Sequence, residues 1–512
     1  MKMKINFRHF LVIALAAFVA TANADEQPVT LTPKPPPTPR INGPSIFGVR
    51  PGSPFLYHIP ATGERPMEFS VHGLPEGLRV DPSIGEITGA LQKAGEYKVV
   101  LRAKNALGKS EKKFRIVVGD DISLTPAMGW NSWNCWGSRV TAEKVLQSAH
   151  GMAASGLIEH GWTYMNIDDA WQGKRGGTFN GIQGNSSFPD MKGLCDEIHG
   201  LGLKVGIYST PWTTSYADHI GGSSENPNGD WTKPTVSKKG KVNKKILPWA
   251  IGKYHFATND AQQWAAWGID YLKYDWNPNE VPETKEMADA LRASRRDVVF
   301  SLSNSSPFKN MPGLSKYANS WRTTGDIRDT WASMSAKGFS QDKWVGFSGH
   351  GHWNDPDMLV VGHVGWGSPH LTHLTPDEQY THISLWCLLS APLLIGCDLG
   401  NVDDFTVGVL SNDEVLALDQ DALGKQATCV ATNGFVRIYA KDLEDGSKAV
   451  GLFNLDTNSV NATLQWSDLN LQGKRMVRDL WRERDIGRFD GHFEATVPPH
   501  GVVLVRLDKR SK

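Results

Sequence analysis

The chain has 512 residues, of which 40% are hydrophobic and 21% are charged, and this composition is typical of a globular protein with several domains. Lysine plus arginine and aspartate plus glutamate both number 54, so the formal net charge is +0. This balance argues against nucleic acid or an anionic membrane as a partner. None of the five cysteines lies in a C-x-x-C pair, which excludes a disulfide scaffold and a zinc ribbon but leaves one disulfide possible.

Residues 1–24 are predicted to be a secretory signal peptide. Three basic residues precede an apolar run over residues 10–20, and residues 22–24 read Ala-Asn-Ala, an A-x-A cleavage site. The apolar run is too short to anchor the chain in a bilayer. We therefore expect a periplasmic or extracellular protein without membrane insertion. The proline-rich residues 25–45 are predicted to form an extended linker.

Residues 46–120 carry β signals only. Residues 97–103 and 114–118 are rich in β-branched and aromatic side chains, and Gly and Pro turns recur between such runs. The sequences GLPEGL at 73–78 and GEITG at 85–89 resemble the immunoglobulin-like modules appended to extracellular bacterial enzymes. The resemblance implies a β-sandwich that serves as a spacer or docking module and has no catalytic site.

Residues 121–425 alternate between strand and helix patterns. The predicted strands are residues 127–130, 164–167, 204–208, 271–274, 298–302, 320–323, 351–353 and 392–395. A helix is predicted to begin at Thr375, because Thr-Pro-Asp-Glu combines a capping box with proline at the first helical position. Eight such alternations predict a (β/α)₈ TIM barrel, in which the active site lies at the C-terminal ends of the strands.

Residues 426–512 return to β patterns. Strands are predicted over residues 434–440, 448–455, 462–466, 475–480 and 502–507. We expect a small antiparallel β domain that packs on the barrel and has no site of its own. The predicted fold is therefore multidomain, with a TIM barrel between an N-terminal β-sandwich and a C-terminal antiparallel β domain.

Carboxylates recur where the predicted barrel strands end. Lys273 and Asp275 share one strand face, because side chains two residues apart on a strand point the same way. Asp168 and Asp169 follow an earlier strand, and Asp326 follows a later one. A single aspartate at such a position is often only a helix N-cap. The whole set, with cations interleaved, favours a functional site.

Two carboxyl groups in different protonation states are what glycoside hydrolysis requires. Asp275 is the candidate nucleophile, because the charge of Lys273 on the same strand face would hold it ionised. Asp326, one strand pair away in the barrel, is the candidate proton donor. A separation of about 5–5.5 Å between the two carboxyl groups would give a mechanism that retains the anomeric configuration.

The remaining strand-end groups are candidate ligands of a sugar. Asp168 and Asp169 can each accept hydrogen bonds from two hydroxyls, since an ionised carboxylate is an acceptor only. Arg322 can donate two hydrogen bonds in a fork. Trp130 and Trp133 can form an aromatic wall, although packing in the core is an equally good explanation for any one tryptophan.

Other chemistries have less support in the sequence. His350 and His352 are the one histidine pair that could ligate a metal, and little around them matches known ligand patterns. A G-x-S-x-G nucleophile elbow and a phosphate-binding loop are absent from the sequence. We expect no metal and no cofactor, and a carbohydrate as the substrate.

Eight motifs occur in order from the barrel into the terminal domain. They are TPAMGWNSW at 125–133, NIDDAW at 166–171, GIY at 206–208, GIDYLKYD at 268–275, WR at 321–322 with GDI at 325–327, WNDPDML at 353–359, SAPLL at 390–394 and DQDALGKQ at 419–426. In this order they closely resemble glycoside hydrolase family 27, which comprises α-galactosidases (melibiases) and α-N-acetylgalactosaminidases. The resemblance implies a retaining mechanism without a cofactor.

The resemblance also implies a role for individual residues. It implies Asp275 as the nucleophile and Asp326 as the acid/base. The residues it implies as ligands of the terminal sugar are Trp133, Asp168, Asp169, Tyr208, Lys273 and Arg322. These roles agree with those argued from charge and position.

The sequence departs from the family pattern at three places. Residues 303–305 read Ser-Asn-Ser where α-galactosidases usually carry Cys-Glu-Trp near the sugar's 2-position, so Asn304 becomes a candidate ligand and a 2-acetamido group or another sugar could be admitted. Ala170 and Trp276 stand where the family usually has cysteines, so the family disulfides are not expected. The long loop 211–254 is expected to rim the pocket and to influence the choice of leaving group.

Three functions are consistent with the sequence. The first is a secreted exo-acting α-galactosidase. The second keeps the mechanism but changes the sugar to α-N-acetylgalactosamine or β-L-arabinopyranose. The third is a glycan-binding protein without activity, suggested by the N-terminal module. The intact pair of Asp275 and Asp326 argues against the third, because a pure binder has no need of a proton donor opposite a carboxylate.

Overall fold

The computed structural model describes residues 28–231 and 249–508. The predicted signal peptide and part of the loop after the third barrel strand lie outside these residues. Nothing in the described ranges forms a helix that is both long enough and apolar enough to cross a bilayer.

The N-terminal domain is built from two facing sheets. Its strands are β1 (Arg40–Ile41), β2 (Ile46–Val49), β3 (Pro54–His58), β4 (Ala61–Thr62), β5 (Glu68–His72), β6 (Leu78–Val80), β7 (Glu86–Ala90), β8 (Gly95–Asn105) and β9 (Gly108–Val118). One sheet has the order β2-β9-β8-β5 and the other β3-β7-β6. Alternate residues in the second half of β8 and β9 are buried between the sheets, as the two-residue period of a strand requires. The predicted β-sandwich is confirmed.

The segment before the sandwich contacts the barrel. The Leu31 amide donates to the Tyr380 hydroxyl at 2.8 Å, and the Thr32 hydroxyl donates to the Gly408 carbonyl at 2.6 Å. The sandwich itself meets the opposite end of the barrel from the predicted site, where the Arg50 amide donates to Asp297 at 2.8 Å. The N-terminal domain therefore lies away from the strand ends that carry the carboxylates.

The central domain is a barrel of parallel strands. Its strands and hairpins are β10 (Met128–Asn131), β11 (Tyr164–Ile167), β12 (Gln172–Gly176), β13 (Gly181–Gly184), β14 (Lys204–Ser209), β15 (Ser223–Ser224), β16 (Tyr254–His255), β17 (Tyr271–Asp275), β18 (Val299–Ser303), β19 (Ser320–Arg322), β20 (Trp353–Asp355), β21 (His363–Val364), β22 (His370–Leu371) and β23 (Leu393–Ile395). Eight of them form one sheet in the order β20-β19-β18-β17-β14-β11-β10-β23. Leu359 closes it, donating to the Leu394 carbonyl and accepting from the Gly396 amide. The predicted TIM barrel is confirmed.

Helices surround the barrel. They are α1 (Trp133–Trp136), α2 (Ala142–Ala154), α3 (Met191–Gly200), α4 (Ala257–Trp267), α5 (Val281–Ala293), α6 (Met311–Leu314), α7 (Trp331–Gly338), α8 (Pro376–Leu389), α9 (Asp404–Leu410) and α10 (Asp413–Asp419). Helix α8 begins with the predicted capping box between Thr375 and Glu378. It is buried on all sides because it lies between the barrel and the terminal domain.

The seventh barrel strand begins later than predicted. Residues 351–353 were assigned to it, but the strand runs over Trp353–Asp355. Gly349 and His352 hydrogen bond to each other across a turn, and Gly351 has φ +76°, which a strand does not allow. The pattern of residues 351–353 is too short to predict this turn.

The C-terminal domain is antiparallel, as predicted. Its strands are β24 (Thr428–Asn433), β25 (Val436–Asp442), β26 (Lys448–Asn454), β27 (Val460–Gln465), β28 (Lys474–Asp479), β29 (Arg484–Asp490), β30 (His492–Val497) and β31 (Val502–Leu507). The main sheet has the order β24-β25-β26-β31-β28-β29, and β27 pairs with β30. Strands β26 and β31 contact α8 and thereby hold the domain on the barrel.

All five cysteines fall within the described ranges and are free thiols. Four of them are buried. The single disulfide that the sequence left open is not formed.

Candidate active site

A cavity of about 220 Å³ lies at the C-terminal ends of the barrel strands. All nine residues predicted from the sequence to form the site line it: Trp133, Asp168, Asp169, Tyr208, Lys273, Asp275, Asn304, Arg322 and Asp326. Four further residues that were not assigned also line it, namely Asn134, Tyr216, Asp357 and Met358. Three of these four lie in or next to the quoted motifs. Tyr216 lies in the long loop after β14, which is why motif order gave no sign of it.

The strand register brings these side chains to one level. Tyr208 is paired with Lys273 across β14 and β17, and Asp275 is paired with Ser303 across β17 and β18. Arg322 ends β19 opposite Asp355 of β20. Because neighbouring strands are parallel, their last residues meet at the same rim and the loops that follow surround one cavity.

Three residues in or next to the site have left-handed backbone conformations. Ala170 follows Asp169 with φ 87°, Ser305 follows Asn304 with φ 61°, and Asp357 lines the cavity itself with φ 97°. Such conformations cost of order 1–3 kcal/mol each in residues other than glycine and concentrate at functional sites. Here they accompany the sharp turns by which the chain leaves the strand ends.

Asp168 and Lys273 form a buried ion pair. The Lys273 ammonium donates to Asp168 Oδ2 at 2.8 Å, and the Asn131 amide donates to the same oxygen at 2.7 Å. Burial disfavours the charge on Lys273, but the neighbouring Asp168 and Asp275 outweigh it and raise the pKa of Lys273. The site therefore contains a lysine that stays charged, with its remaining protons available to a ligand.

Asp169 is held mainly by the protein. Its Oδ1 accepts from the Ala170 amide at 2.8 Å and the Gln172 side chain at 2.9 Å, and its Oδ2 accepts from the Ala217 amide at 2.8 Å. Despite these bonds, burial raises the pKa of Asp169. The carboxylate thus ties the start of the long loop to the end of β11, and it keeps less acceptor capacity for a sugar than the sequence suggested.

The Asp275 carboxyl faces the cavity with Oδ1 buried and without a hydrogen-bond partner in the described ranges. Burial raises the pKa of Asp275 to about 7, and the charges of Asp168 and Asp326 act in the same direction. Lys273 lowers this pKa, as the sequence led us to expect, but it is not strong enough to overcome burial. Among the described residues, the hydrogen bond of Lys273 goes to Asp168 rather than to Asp275.

Arg322 connects the second carboxylate to the site. Its Nη2 lies 2.7 Å from Asp357 Oδ2 and 3.3 Å from Asp326 Oδ1. Burial acts to raise the pKa of Asp326, but Arg322 and Lys273 outweigh it and the pKa is lowered. The Asp326 side chain is 55% exposed, whereas Arg322 is buried. Of the two carboxyls, the more exposed one is therefore the stronger acid.

Several buried polar atoms of the cavity residues have no hydrogen-bond partner among the described residues. Besides Asp275 Oδ1, the Tyr208 hydroxyl and Arg322 Nε have no hydrogen-bond partner in the part of the chain that the structure describes. Buried polar groups are normally satisfied, so such atoms point to a ligand rich in hydroxyl groups. His350 and His352, by contrast, contact the backbone carbonyls of Ala422 and Ala318 and do not line the cavity.

Family comparisons agree with this geometry. The family described as Alpha galactosidase A matches residues 125–230 and 240–421, and the Alpha galactosidase C-terminal beta sandwich domain matches residues 433–507. An Ig-domain family matches residues 38–119. The chain belongs to the α-galactosidase family, glycoside hydrolase family 27. It is therefore a glycoside hydrolase with an N-terminal immunoglobulin-like module.

Individual members of the family cover most of the chain. Alpha-galactosidase 2 of Arabidopsis thaliana is 35% identical over 404 residues, which are 77% of this chain and 92% of that protein. The crystal structure of a candidate α-galactosidase from Bacteroides fragilis is 32% identical with a TM-score of 0.81, covering 93% of this chain and 98% of that chain. A family 27 β-L-arabinopyranosidase from Geobacillus stearothermophilus is 27% identical with a TM-score of 0.64, covering 76% of this chain and 97% of that chain.

Proposed function

We propose that this family 27 enzyme is a retaining exo-glycosidase that removes terminal α-D-galactosyl residues from oligosaccharides or glycoconjugates. The observation that carries the proposal is the single cavity that the Asp275 and Asp326 carboxyls share, in which Asp275 is buried and Asp326 is half exposed. The pKa values of the two carboxyls are shifted in opposite directions, so the pair holds a single proton over a range of pH. The reaction proceeds from the form in which Asp326 carries that proton and Asp275 is ionised. The α-galactosidases among its relatives support galactose as the sugar.

The proposed mechanism has two displacements. In the first, the Asp275 carboxylate attacks the anomeric carbon while Asp326 donates its proton to the leaving oxygen, which gives a glycosyl ester on Asp275. In the second, the Asp326 carboxylate takes a proton from water, the water oxygen attacks the anomeric carbon, and the Asp275 carboxylate leaves. The exposure of Asp326 suits contact with leaving group and water, and the burial of Asp275 suits attack from within the cavity.

The other lining residues are proposed to hold the sugar. Lys273 and Asp168 present a charged donor and an acceptor side by side, which suits two adjacent ring hydroxyls. The unpartnered Tyr208 hydroxyl and Arg322 Nε offer further polar contacts. Trp133 is partly exposed at the cavity and can pack against the C–H face of the ring.

Asn304 and Tyr216 mark where the sugar preference is decided. Asn304 lies beside the Tyr216 hydroxyl, and both line the cavity. Asn304 belongs to the Ser-Asn-Ser stretch that stands where α-galactosidases usually carry Cys-Glu-Trp. The likeness to the Geobacillus enzyme makes β-L-arabinopyranose the second candidate, since its ring hydroxyls are arranged like those of galactose. A panel of aryl α-galactoside, α-N-acetylgalactosaminide and β-L-arabinopyranoside separates the candidates by kcat/KM.

The catalytic assignment is tested with Asp275→Asn on the best substrate of that panel. We expect kcat to fall on the order of 10⁴-fold or more, because the nucleophile is removed while the cavity is preserved. Asp289→Asn is the matched control, since Asp289 is an exposed residue of α5 far from the cavity. Substantial turnover by a folded Asp275→Asn protein would reject the assignment.

We also propose that the protein is exported, as residues 1–24 indicate. Protein recovered from the periplasm or medium should begin near Asp25. Recovery of the intact amino terminus in the cytoplasm alone would contradict export.

A further inference from the structure

Three potential metal ligands meet outside the catalytic cavity. They are Asp329, His370 and His373, and one ligand atom from each lies within 4.8 Å of the others. We call them the Asp–His–His cluster. Asp329 follows β19 and lies three residues after Asp326, while the histidines lie on and just after β22. None of the three lines the cavity of Asp275.

The carboxylate of the cluster is fixed in place. Asp329 Oδ2 lies 2.8 Å from His373 Nδ1 and 4.0 Å from His370 Nδ1, and it accepts from the His373 amide at 3.1 Å. Only 7% of the Asp329 side chain is exposed, against 44% for His370 and 67% for His373. A buried oxygen therefore faces two imidazoles that solvent can reach.

The second histidine has the arrangement expected of a ligand. His370 Nδ1 lies 2.9 Å from the Leu371 carbonyl, and because a carbonyl only accepts, that nitrogen carries the proton and leaves Nε2 as the nitrogen that can bind an ion. In metal sites a ligating imidazole commonly donates its other N–H to a backbone carbonyl in this way, which orients the ring. The two rings are 4.8 Å apart and tilted by 36°. A simple ion pair between Asp329 and His373 would not explain why His370 also lies beside the same carboxylate.

We propose that the Asp–His–His cluster binds a divalent transition-metal ion, with Zn²⁺ as the reference ion. Imidazole nitrogen and carboxylate oxygen are ordinary zinc ligands, and water completes the coordination when the protein supplies three. Ca²⁺ and Mg²⁺ prefer oxygen ligands and fit this set poorly. The same set of ligand atoms also suits Cu²⁺ and Ni²⁺.

The ion would fasten the loop that carries Asp326. That loop already contacts the β21–β22 hairpin region, because the Arg328 guanidinium lies over the Trp366 ring at 4.7 Å. The same loop is also held at Ile327, whose amide donates to Asp357 at 2.7 Å. A metal joining Asp329 to both histidines adds a further link between loop and hairpin. The role is structural, and the ion takes no part in the reaction at Asp275.

The test is titration of the full-length protein with ZnCl₂ by calorimetry after treatment with EDTA. We expect one equivalent of zinc to bind tightly to wild type and to be lost in His370→Ala and in His373→Ala. His370→Ala is the decisive variant, because it leaves the 2.8 Å contact between Asp329 and His373 intact and so should fold normally. Thermal unfolding should show a rise of several degrees with zinc in wild type and none in that variant.

His255→Ala is the matched control. His255 is an exposed histidine 2.8 Å from Glu286, a histidine–carboxylate pair that lacks a second imidazole, so its loss should leave the zinc equivalent unchanged. Wild type that binds no zinc would overturn the proposal. Zinc binding of equal strength in wild type and His370→Ala would overturn it too, and would show an adventitious ion only.

Discussion

Raising the pH above 7 is expected to inactivate the enzyme because the catalytic pair loses its only proton. The pKa of Asp275 is raised to about 7, and the pKa of Asp326 is lowered from its ordinary value near 3.8. Between these limits the two carboxyls hold one proton, which lies mainly on Asp275. The reactive form carries that proton on Asp326 and is a constant fraction of the singly protonated pair, so activity follows the total of that pair. The singly protonated fraction then falls to about one-tenth at pH 8 and about one-hundredth at pH 9.

This alkaline loss of activity should appear in kcat/KM, because kcat/KM reports the ionisation of the free enzyme. We would measure kcat/KM with an aryl α-galactoside in stopped assays from pH 4 to pH 9. Asp326→Asn provides the sharper test with α-galactosyl fluoride, whose leaving group needs little protonation. Without Asp326 the rate requires only ionised Asp275, so it should rise with pH, through a pKa below 7 because a repelling charge is gone. A wild-type kcat/KM that stays level to pH 9, or a falling alkaline limb in Asp326→Asn, would refute the reasoning.

Two further predictions concern stability and substrate choice. The folded-state pKa of Asp275 is raised, so ionisation of this carboxyl destabilises the fold increasingly from about pH 4 to pH 7. The free energy of unfolding of Asp275→Asn should therefore exceed that of wild type by up to about 4 kcal/mol at pH 8 but not at pH 4. Thermal unfolding that shows the same difference between the two proteins at both pH values would contradict this prediction. Tyr216 is partly exposed at the cavity and packs on Trp212 at 5.1 Å, so Tyr216→Ala should lower kcat/KM for a galactosyl disaccharide by about tenfold while sparing α-galactosyl fluoride. Phe435→Ala, at an exposed phenyl ring of the terminal domain, is the control, and equal losses on both substrates would argue against a leaving-group contact.

Most of the site could be predicted from the sequence because a parallel barrel collects its strand ends. Asp168, Lys273, Asp275 and Asp326 each stand at or just after a strand, and the chain has only one rim at which such positions can meet. Once the strands were recognised, the members of the site followed. Tyr216 did not follow, because it comes from a long loop whose direction no periodicity sets.

The interactions between these residues were harder to predict. The strand period placed Lys273 beside Asp275, yet its hydrogen bond crosses the sheet to Asp168. Charge alone suggested that Asp275 would ionise more easily than Asp326, and the structure shows the opposite order. Burial decides that order, and burial depends on every segment that covers a residue rather than on its neighbours in the chain.

The amino-acid sequence by itself thus determines the three domains, the barrel and the identity of the carboxylates. These features depend on hydrophobic periodicity and on which residues end a strand, and both are visible within a few consecutive residues. Tertiary structure alone decides which carboxyl keeps the proton, which partner the lysine takes, and that Asp329 meets His370 and His373. Those outcomes depend on distances between segments far apart in the chain and on the exclusion of water from the space they share.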